Sequence, residues 1–464
     1  MRVDASESWS TIRELLGEVR ERASHFLESL PGRPVAAARS TDDLVRALGG
    51  TLPRLGRPAS AILEQLDEIG SPGTVASAGP RYFGFVTGGS LPASLAANWL
   101  AAAWDQNAFS QTSSPISAAI ESVALRWLLE ILGLPATAGA AFVTGATMAN
   151  FAALAAARRS VLLAHGYDVD RKGLQGAPEI TLVAGEQAHA TLFKAFGMLG
   201  FGREQVIRVS ADGQGRMRTD ALPELTGPAI VCTQVGNVNT GAFDPVGAIS
   251  NAVQTDDVWI HVDGAFGLWA RASHQFGELT EGIERADSWA TDAHKWLNVP
   301  YDSGVAIVPN AEALRGALSL QAAYLPERTG REPFAYTPES SRRARGVEIW
   351  AAIASLGRDG VEALVERNCR HAQRFAGGLR AAGYQVLNDV VLNQVLVSFG
   401  DDRATSEVIH GVQRDGTCWC GGTSWKGSTA MRISVSSWAT TGEDVERSLA
   451  AILRVASGVT PNRG

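Results

Sequence analysis

Lysine is almost absent from this chain. Of 41 basic side chains, four are lysines (Lys172, Lys194, Lys295 and Lys426) and the other 37 are arginines. Arginine is always protonated and cannot serve as an amine nucleophile, whereas a desolvated lysine amine can lose its proton and form a Schiff base. A lysine kept in so arginine-rich a chain marks a place where an amine is needed. Cysteine is scarce too: Cys232, Cys369, Cys418 and Cys420 are too few and too scattered for a disulfide framework. Cys418 and Cys420 would share one face of a strand, yet zinc needs two more soft ligands and the neighbouring sequence offers none. Reduced, buried thiols in a cytoplasmic protein without a metal are the expectation. Excess positive charge is also missing. A net charge of −7 excludes a basic footprint for nucleic acid and a polybasic membrane patch. No run of about 18 apolar residues occurs, so no membrane-spanning helix is expected. The first ten residues, with Asp4 and Glu7 and no apolar core, do not read as a signal peptide.

What is present is an ordinary globular balance, 45% apolar and 19% charged, over 464 residues, a length that calls for two or three domains. Apolar residues recur at helical spacing from Trp9 to Leu30, and the run Pro31-Gly32-Arg33-Pro34 stops that helix. Two more helices are expected around 40–48 and 59–69. Their apolar stripes would pack either on a second subunit or on the larger domain of the same chain. Residues 1–85 are read as an N-terminal helical segment. Within 86–335, short apolar runs at 140–144, 180–184, 206–209, 229–232, 258–263, 288–290 and 305–308 alternate with helices. This pattern predicts a large α/β domain on a mainly parallel sheet, with ligands beyond the carboxyl ends of its strands. Residues 336–464 read as a small C-terminal α+β domain, with strands at 391–399, 418–419 and 431–436 and a closing helix at 442–457.

The chemistry gathers at strand ends. Thr144-Gly145-Ala146-Thr147 lies where a strand hands over to a helix, and backbone N–H groups there, with threonine hydroxyls, make a phosphate cradle. His189, after the 180–184 run, is either a locally bonded loop side chain or an imidazole that stacks flat on an aromatic cofactor. Asp263 closes Trp259-Ile260-His261-Val262-Asp263 as a strand-end cap or as the partner of a buried cation. A pyridinium nitrogen is such a cation, and Ala265 is small enough to let a ring lie close. Lys295, in Asp292-Ala293-His294-Lys295-Trp296, follows another strand, and His294 beside it can move a proton. An imine-forming lysine with an aspartate at a strand end is what pyridoxal phosphate chemistry requires. Tyr82, Phe83 and Phe85, broken by Gly84, look like the lining of a cleft, and Arg432 is a candidate for binding a carboxylate.

Residues from about 75 to 445 resemble the group II pyridoxal-phosphate-dependent amino-acid decarboxylases of fold type I, a family that includes aromatic-amino-acid and glutamate decarboxylases. The resemblance is carried by RYFGF (81–85), FVTGATMANFAALAAAR (142–158), EQAH (186–189), GNVNTGAFDPV (236–246), WIHVDGAFG (259–267) and DAHKWLN (292–298). It implies that Lys295 is the Schiff-base lysine, Asp263 the pyridine partner, His189 the stacking residue, and Ala146 and Thr147 the phosphate contacts. It implies a seven-stranded sheet and a homodimer whose N-terminal helices clasp the partner, with Phe109 reaching in from the neighbouring subunit. Tyr324 falls where the family has a loop tyrosine that returns a proton to the substrate carbon. Two positions differ from many relatives. Asp292 stands where asparagine is common, so its carboxylate must turn from the phosphate or bond to backbone N–H groups. Asn237 stands where threonine is common near the ring oxygen, and can donate a hydrogen bond there.

The reaction implied is decarboxylation of an L-amino acid to amine and carbon dioxide. The aromatics at 82, 83, 85 and 109 favour an aromatic or otherwise apolar substrate. Alternatives are oxidative decarboxylation–deamination to an aldehyde, another carbon–carbon lyase, or a relative that binds without catalysis.

Overall fold

A computed structural model describes residues 9–253, 255, 257–320 and 330–459. Seven strands form the main sheet: β1 (Gly139–Val143), β2 (Thr181–Gly185), β3 (Ile207–Val209), β4 (Ala229–Gln234), β5 (Val258–Asp263), β6 (Ser288–Asp292) and β7 (Gly304–Val308). Their order across the sheet is β1-β7-β6-β5-β4-β2-β3, and β7 alone runs antiparallel to its neighbours. Helices cover both faces, which is why β1, β4, β6 and β7 are buried along their whole length.

The helix Ala146–Ala164 follows β1 and crosses the sheet against β5, β6 and β7. Its inner face is alanine (Ala149, Ala152, Ala153, Ala156 and Ala157, all fully buried), which brings its axis close to the strands. The same economy of side chain recurs at its start. A Cβ on Gly304 would lie 2.4 Å from the Gly145 Cα, so the beginning of β7 can pass the helix entrance only as glycine. That approach fixes the first turn of the helix against the mouth of the sheet.

A second, antiparallel sheet holds β8 (Gln385–Val386), β9 (Gln394–Ser398), β10 (Gly421–Trp425) and β11 (Ser428–Ser434), in the order β10-β11-β9-β8. It packs on a long helical stretch, Gly346–Ala381, broken at Gly357 (φ +64°), and on the helices Asp402–Asp415 and Gly442–Val459. The strand expected at 418–419 is displaced. Trp419 makes only an isolated bridge to Tyr82, and the strand begins at Gly421, where pairing with β11 starts. The helix Asp402–Asp415 had no counterpart in the sequence reading. The N-terminal helices Trp9–Ser29, Thr41–Leu48 and Ala59–Gly73 form as expected, and no residue of the second or third is buried.

Candidate active site

Every strand of the main sheet except β7 points its carboxyl end toward the same edge, and the chemistry-bearing residues follow those ends. His189 comes after β2, Asp263 closes β5, Asp292 closes β6 with Lys295 in the turn beyond, and the helix entrance at Gly145–Thr147 follows β1. Together with Gln234, Gly236, Ala265, Phe266 and His294 they line one cavity of about 280 Å³.

Lys295 Nζ lies 2.8 Å from Asp292 Oδ2, and the other oxygen of that carboxylate accepts the Ala146 N–H at 2.5 Å. The carboxylate at 292 does bond to a backbone N–H, one of the two arrangements the sequence allowed. In doing so it takes up the N–H of Ala146, which had been expected to reach phosphate. Thr144, Thr147 and Thr191 remain on the wall around the helix entrance. His294 Nε2 is 3.6 Å from Asp292 Oδ1, and its Nδ1 accepts the Ser303 N–H at 3.0 Å. Its ring packs on Tyr301 with centroids 4.4 Å apart. Burial holds the His294 imidazole below its usual pKa despite the nearby Asp292 carboxylate.

His189 caps the helix Ala190–Met198: its Nδ1 accepts the Thr191 N–H and lies 2.7 Å from the Thr191 hydroxyl, while its own N–H donates to Gln234 Oε1 at 3.0 Å. Held through its backbone N–H and its Nδ1, the residue lines the cavity. Burial lowers its pKa, against the pull of Asp263. The imidazole presented there is neutral and flat.

Asp263 is 4% exposed. Its Oδ1 accepts the Ala265 N–H at 3.2 Å and its Oδ2 accepts the Asn150 side-chain N–H at 3.1 Å. Behind Asn150 stands His261, fully buried, which burial pushes down to about 3. In the unfolded chain a histidine titrates near 6.5, so between about 6.5 and 3 the unfolded state binds a proton that the folded state refuses, and stability falls as pH falls, by about 1.4 kcal/mol per unit inside that window. His189 and His294, also shifted down, act in the same direction. The urea midpoint of the cofactor-free protein should therefore drop steadily below about pH 6.5, and less steeply in His261→Gln. Equal slopes in the two proteins would place the acid sensitivity elsewhere.

The remaining sequence-derived residues are not brought to this wall. Asn237 is turned away: its Oδ1 accepts the N–H groups of Asn239 and Thr240 to close a tight turn, and its amide nitrogen lies toward Gly215, leaving Gly236 and Val238 on the cavity side. Phe83 is 1% exposed and meets Phe375 edge-on in the core beneath the second sheet, so it lines no cleft. Tyr82 stacks on Trp419 at 5.0 Å, and burial raises its phenol to about 12. Phe85 is 62% exposed and tilts against Trp419. Phe109 stacks on Phe334 at 4.7 Å. Arg432 is half-buried on β11 and close enough to His189 to lower its pKa. Tyr324 lies outside the described residues. The sequence reading missed Gln234, which anchors the backbone of His189, and Tyr301, which covers His294. Neither carries a spacing signal that would have exposed it.

An amine, a strand-end carboxylate, a flat neutral ring and a helix entrance flanked by threonines make a donor set that fits pyridoxal phosphate. A Cβ on Gly145 would come within 3.1 Å of the His294 ring and 3.3 Å of Asp292, so that cradle is open only because the residue is glycine. Comparison with known proteins agrees. The model of the pyridoxal-dependent decarboxylase conserved domain matches residues 42–400.

The chain belongs to this family. It is a pyridoxal-phosphate-dependent enzyme of the kind that decarboxylates amino acids. Among curated relatives, an aromatic-L-amino-acid decarboxylase of Bacillus atrophaeus is 27% identical over 344 residues, 71% of this chain and 69% of the relative. Tryptophan decarboxylase 1 of Oryza sativa subsp. japonica is 26% identical over 373 residues, 75% of this chain and 72% of the relative. Among solved structures, that of Oryza sativa TDC with PLP and tryptamine superposes with a TM-score of 0.91, covering 98% of this chain and 99% of that one at 23% identity. At that identity the likeness establishes the decarboxylase fold.

Proposed function

We propose that this decarboxylase converts an L-amino acid with an aromatic or otherwise apolar side chain into the amine and carbon dioxide. The observation that carries the reading is the convergence of Lys295, Asp263 and His189, from three separate strand ends, on one cavity wall. When bound, pyridoxal phosphate supplies an electron sink for the pair released as carbon dioxide leaves. The residues of the chain do the rest. Lys295 would offer the amine that anchors the cofactor. Asp263, already accepting two N–H groups, would hold a proton at the ring nitrogen. The His189 ring, on the cavity wall, would shield the cofactor from water. Thr147, with Thr144 beside it on the cavity wall, would hold the phosphate, since the Ala146 N–H is engaged by Asp292.

His294, whose Nε2 lies 3.6 Å from Asp292 Oδ1, would hold the proton returned to the substrate carbon, a task the family resemblance also gives to Tyr324. Arg432 supplies the charge for the substrate carboxylate. Burial lowers its pKa, and among the described residues its guanidinium makes no ion pair. Tyr82, near Arg432, and Phe85 would form the side-chain pocket, completed by Phe109 of a second copy.

That second copy is part of the proposal. Trp9, Leu16, Val45, Leu48, Ile62 and Leu66 on the N-terminal helices are 46–86% exposed, an apolar stripe that a homodimer would cover. The same reading divides the chain at 85 and 335, although the core under the main sheet takes in Ile349, Ile353, Val361 and Val365, and the core under the second sheet takes in Phe83. A cytoplasmic location accords with four free, buried cysteines. Among the described residues no helix is long and apolar enough to cross a membrane.

The test is a panel of aromatic, aliphatic, acidic and basic amino acids offered to the cofactor-loaded enzyme, with carbon dioxide, amine, aldehyde and peroxide each measured. Amine and carbon dioxide in equal amounts, fastest with aromatic substrates, are expected. Aldehyde with peroxide would assign the oxidative reaction instead, and turnover confined to acidic substrates would remove the apolar pocket.

A further inference from the structure

A row of buried polar side chains leads away from Asp263 and takes no part in the cavity wall. Trp259, His261 and Asp263 alternate along β5 and so share one face of it. His261 stands in register with Ser288 at the start of β6. Asn150 hangs over them from the first turns of the helix Ala146–Ala164. Asn150, His261 and Ser288 are fully buried and Trp259 is 9% exposed.

Four hydrogen bonds join them, and the direction of each is forced. A carboxylate only accepts, so the group Asn150 turns to Asp263 Oδ2, at 3.1 Å, is its N–H. Its Oδ1 then faces His261 Nε2 at 3.0 Å, and that nitrogen must carry the proton. A neutral imidazole with a proton on Nε2 has a bare Nδ1, which accepts the Ser288 hydroxyl at 2.8 Å. The Ser288 oxygen is left to accept the Trp259 indole N–H, at 2.8 Å. Each donor points toward the carboxylate, no member is left over, and such chains polarise one another in a low dielectric.

We infer that Asn150, His261, Ser288 and Trp259 form a one-way hydrogen-bond relay that ends on Asp263 and fixes the plane of its carboxylate opposite the cofactor ring. This rests on the reading that Asp263 pairs with the ring nitrogen. The four are positioning residues, since none lines the cavity. Asp263 sets the polarity of the row, and His261 holds the far end of the amide in place. Without its Nε2–H, the buried Asn150 Oδ1 has no donor, and the amide loses the second contact that aims its N–H at Asp263.

The experiment compares His261→Leu, His261→Gln and Asp263→Asn in the full-length protein. Three quantities are read: the melting temperature without cofactor, the dissociation constant for pyridoxal phosphate, and the NMR signal of pyridoxal phosphate labelled at its ring nitrogen. His261→Leu should weaken cofactor binding about tenfold, the worth of a hydrogen bond to a charged group, and move the ring-nitrogen signal toward its deprotonated position. His261→Gln restores an N–H near the place of Nε2 and should keep the parent signal, with affinity within about threefold. Should His261→Leu not fold, Asn150→Leu, close in volume, removes the terminal N–H directly and is read in the same way. An unmoved nitrogen signal in His261→Leu, alongside a moved one in Asp263→Asn, would overturn the relay. So would equal losses in the leucine and glutamine variants, which would reduce His261 to a packing element. A signal unmoved by Asp263→Asn would overturn the pairing on which the relay rests.

Discussion

Lys295→Arg is expected to fold, melt close to the parent temperature and turn over substrate about 10³-fold more slowly or worse. The two halves of that outcome come from different properties of one side chain. Lys295 is a cation 2.8 Å from the Asp292 carboxylate, which is 3% exposed and also caps the N–H of Ala146. Arginine replaces the charge, so the pair and the helix entrance survive. What arginine cannot replace is a nitrogen able to lose its proton and attack a carbonyl carbon. Lys295→Ala removes both properties and should lose stability as well as turnover, because Asp292 is then left with one backbone partner in a buried place. Borohydride treatment of the loaded protein, followed by peptide mapping, separates anchoring from mere binding. The peptide carrying residue 295 should hold the cofactor irreversibly in the parent and in neither variant. Turnover of Lys295→Arg within tenfold of the parent would mean that the amine of 295 is not the one the reaction uses.

The scarcity of lysine made Lys295 stand out before any fold was known, and the alternation of apolar runs with helices was enough to place all seven strands of the main sheet. Those signals survive because a strand buried on both faces, and a side chain used for its reactivity, leave their mark on composition and local order. The failures have a different origin. Asn237 lies in the right stretch, but a turn that needs its Oδ1 for two backbone N–H groups decides where its amide goes, and that demand is invisible in the order of residues. Phe83 and Phe85 are two positions apart and look equivalent as letters. A positive φ at Phe85 (+54°) and Val86 (+59°) turns the backbone there, leaving Phe83 under the second sheet and Phe85 outside. Asn150 and Tyr301 reach their partners only through tertiary contact. His261 is the intermediate case. Its spacing of two from Asp263 puts both on one face of β5, so the neighbour of the carboxylate was legible, although its partners Asn150 and Ser288 were not.

Asp263→Asn is the substitution with the other large effect, and its argument turns on what the site can no longer balance. In the parent, Oδ1 and Oδ2 each already accept one N–H, from Ala265 and Asn150, and a charged oxygen still has capacity for the proton of a ring nitrogen. Asparagine is nearly the same shape but has one oxygen and an amide nitrogen. If its oxygen serves Asn150, its N–H group meets the Ala265 N–H. If it is turned the other way, its N–H group meets the Asn150 N–H. Either way two donors face each other in a pocket 4% exposed, and the positive charge on the ring nitrogen loses its counter-ion. Breaking a buried, hydrogen-bonded charge pair from one side costs on the order of 3–5 kcal/mol, which as a barrier increase is roughly 10²–10⁴-fold in rate. The loss should fall on kcat more than on KM, because on the proposed reading residue 263 would pair with the ring nitrogen and not with the substrate, so that the ring's capacity for electrons would be what is impaired. Asp263→Glu keeps the charge but not the position, with one methylene too many for the space between Asn150 and Ala265, so it should recover little. If the glutamate variant regained most of the parent kcat, charge alone would be the requirement, and the hydrogen bonds that orient the carboxylate would not matter.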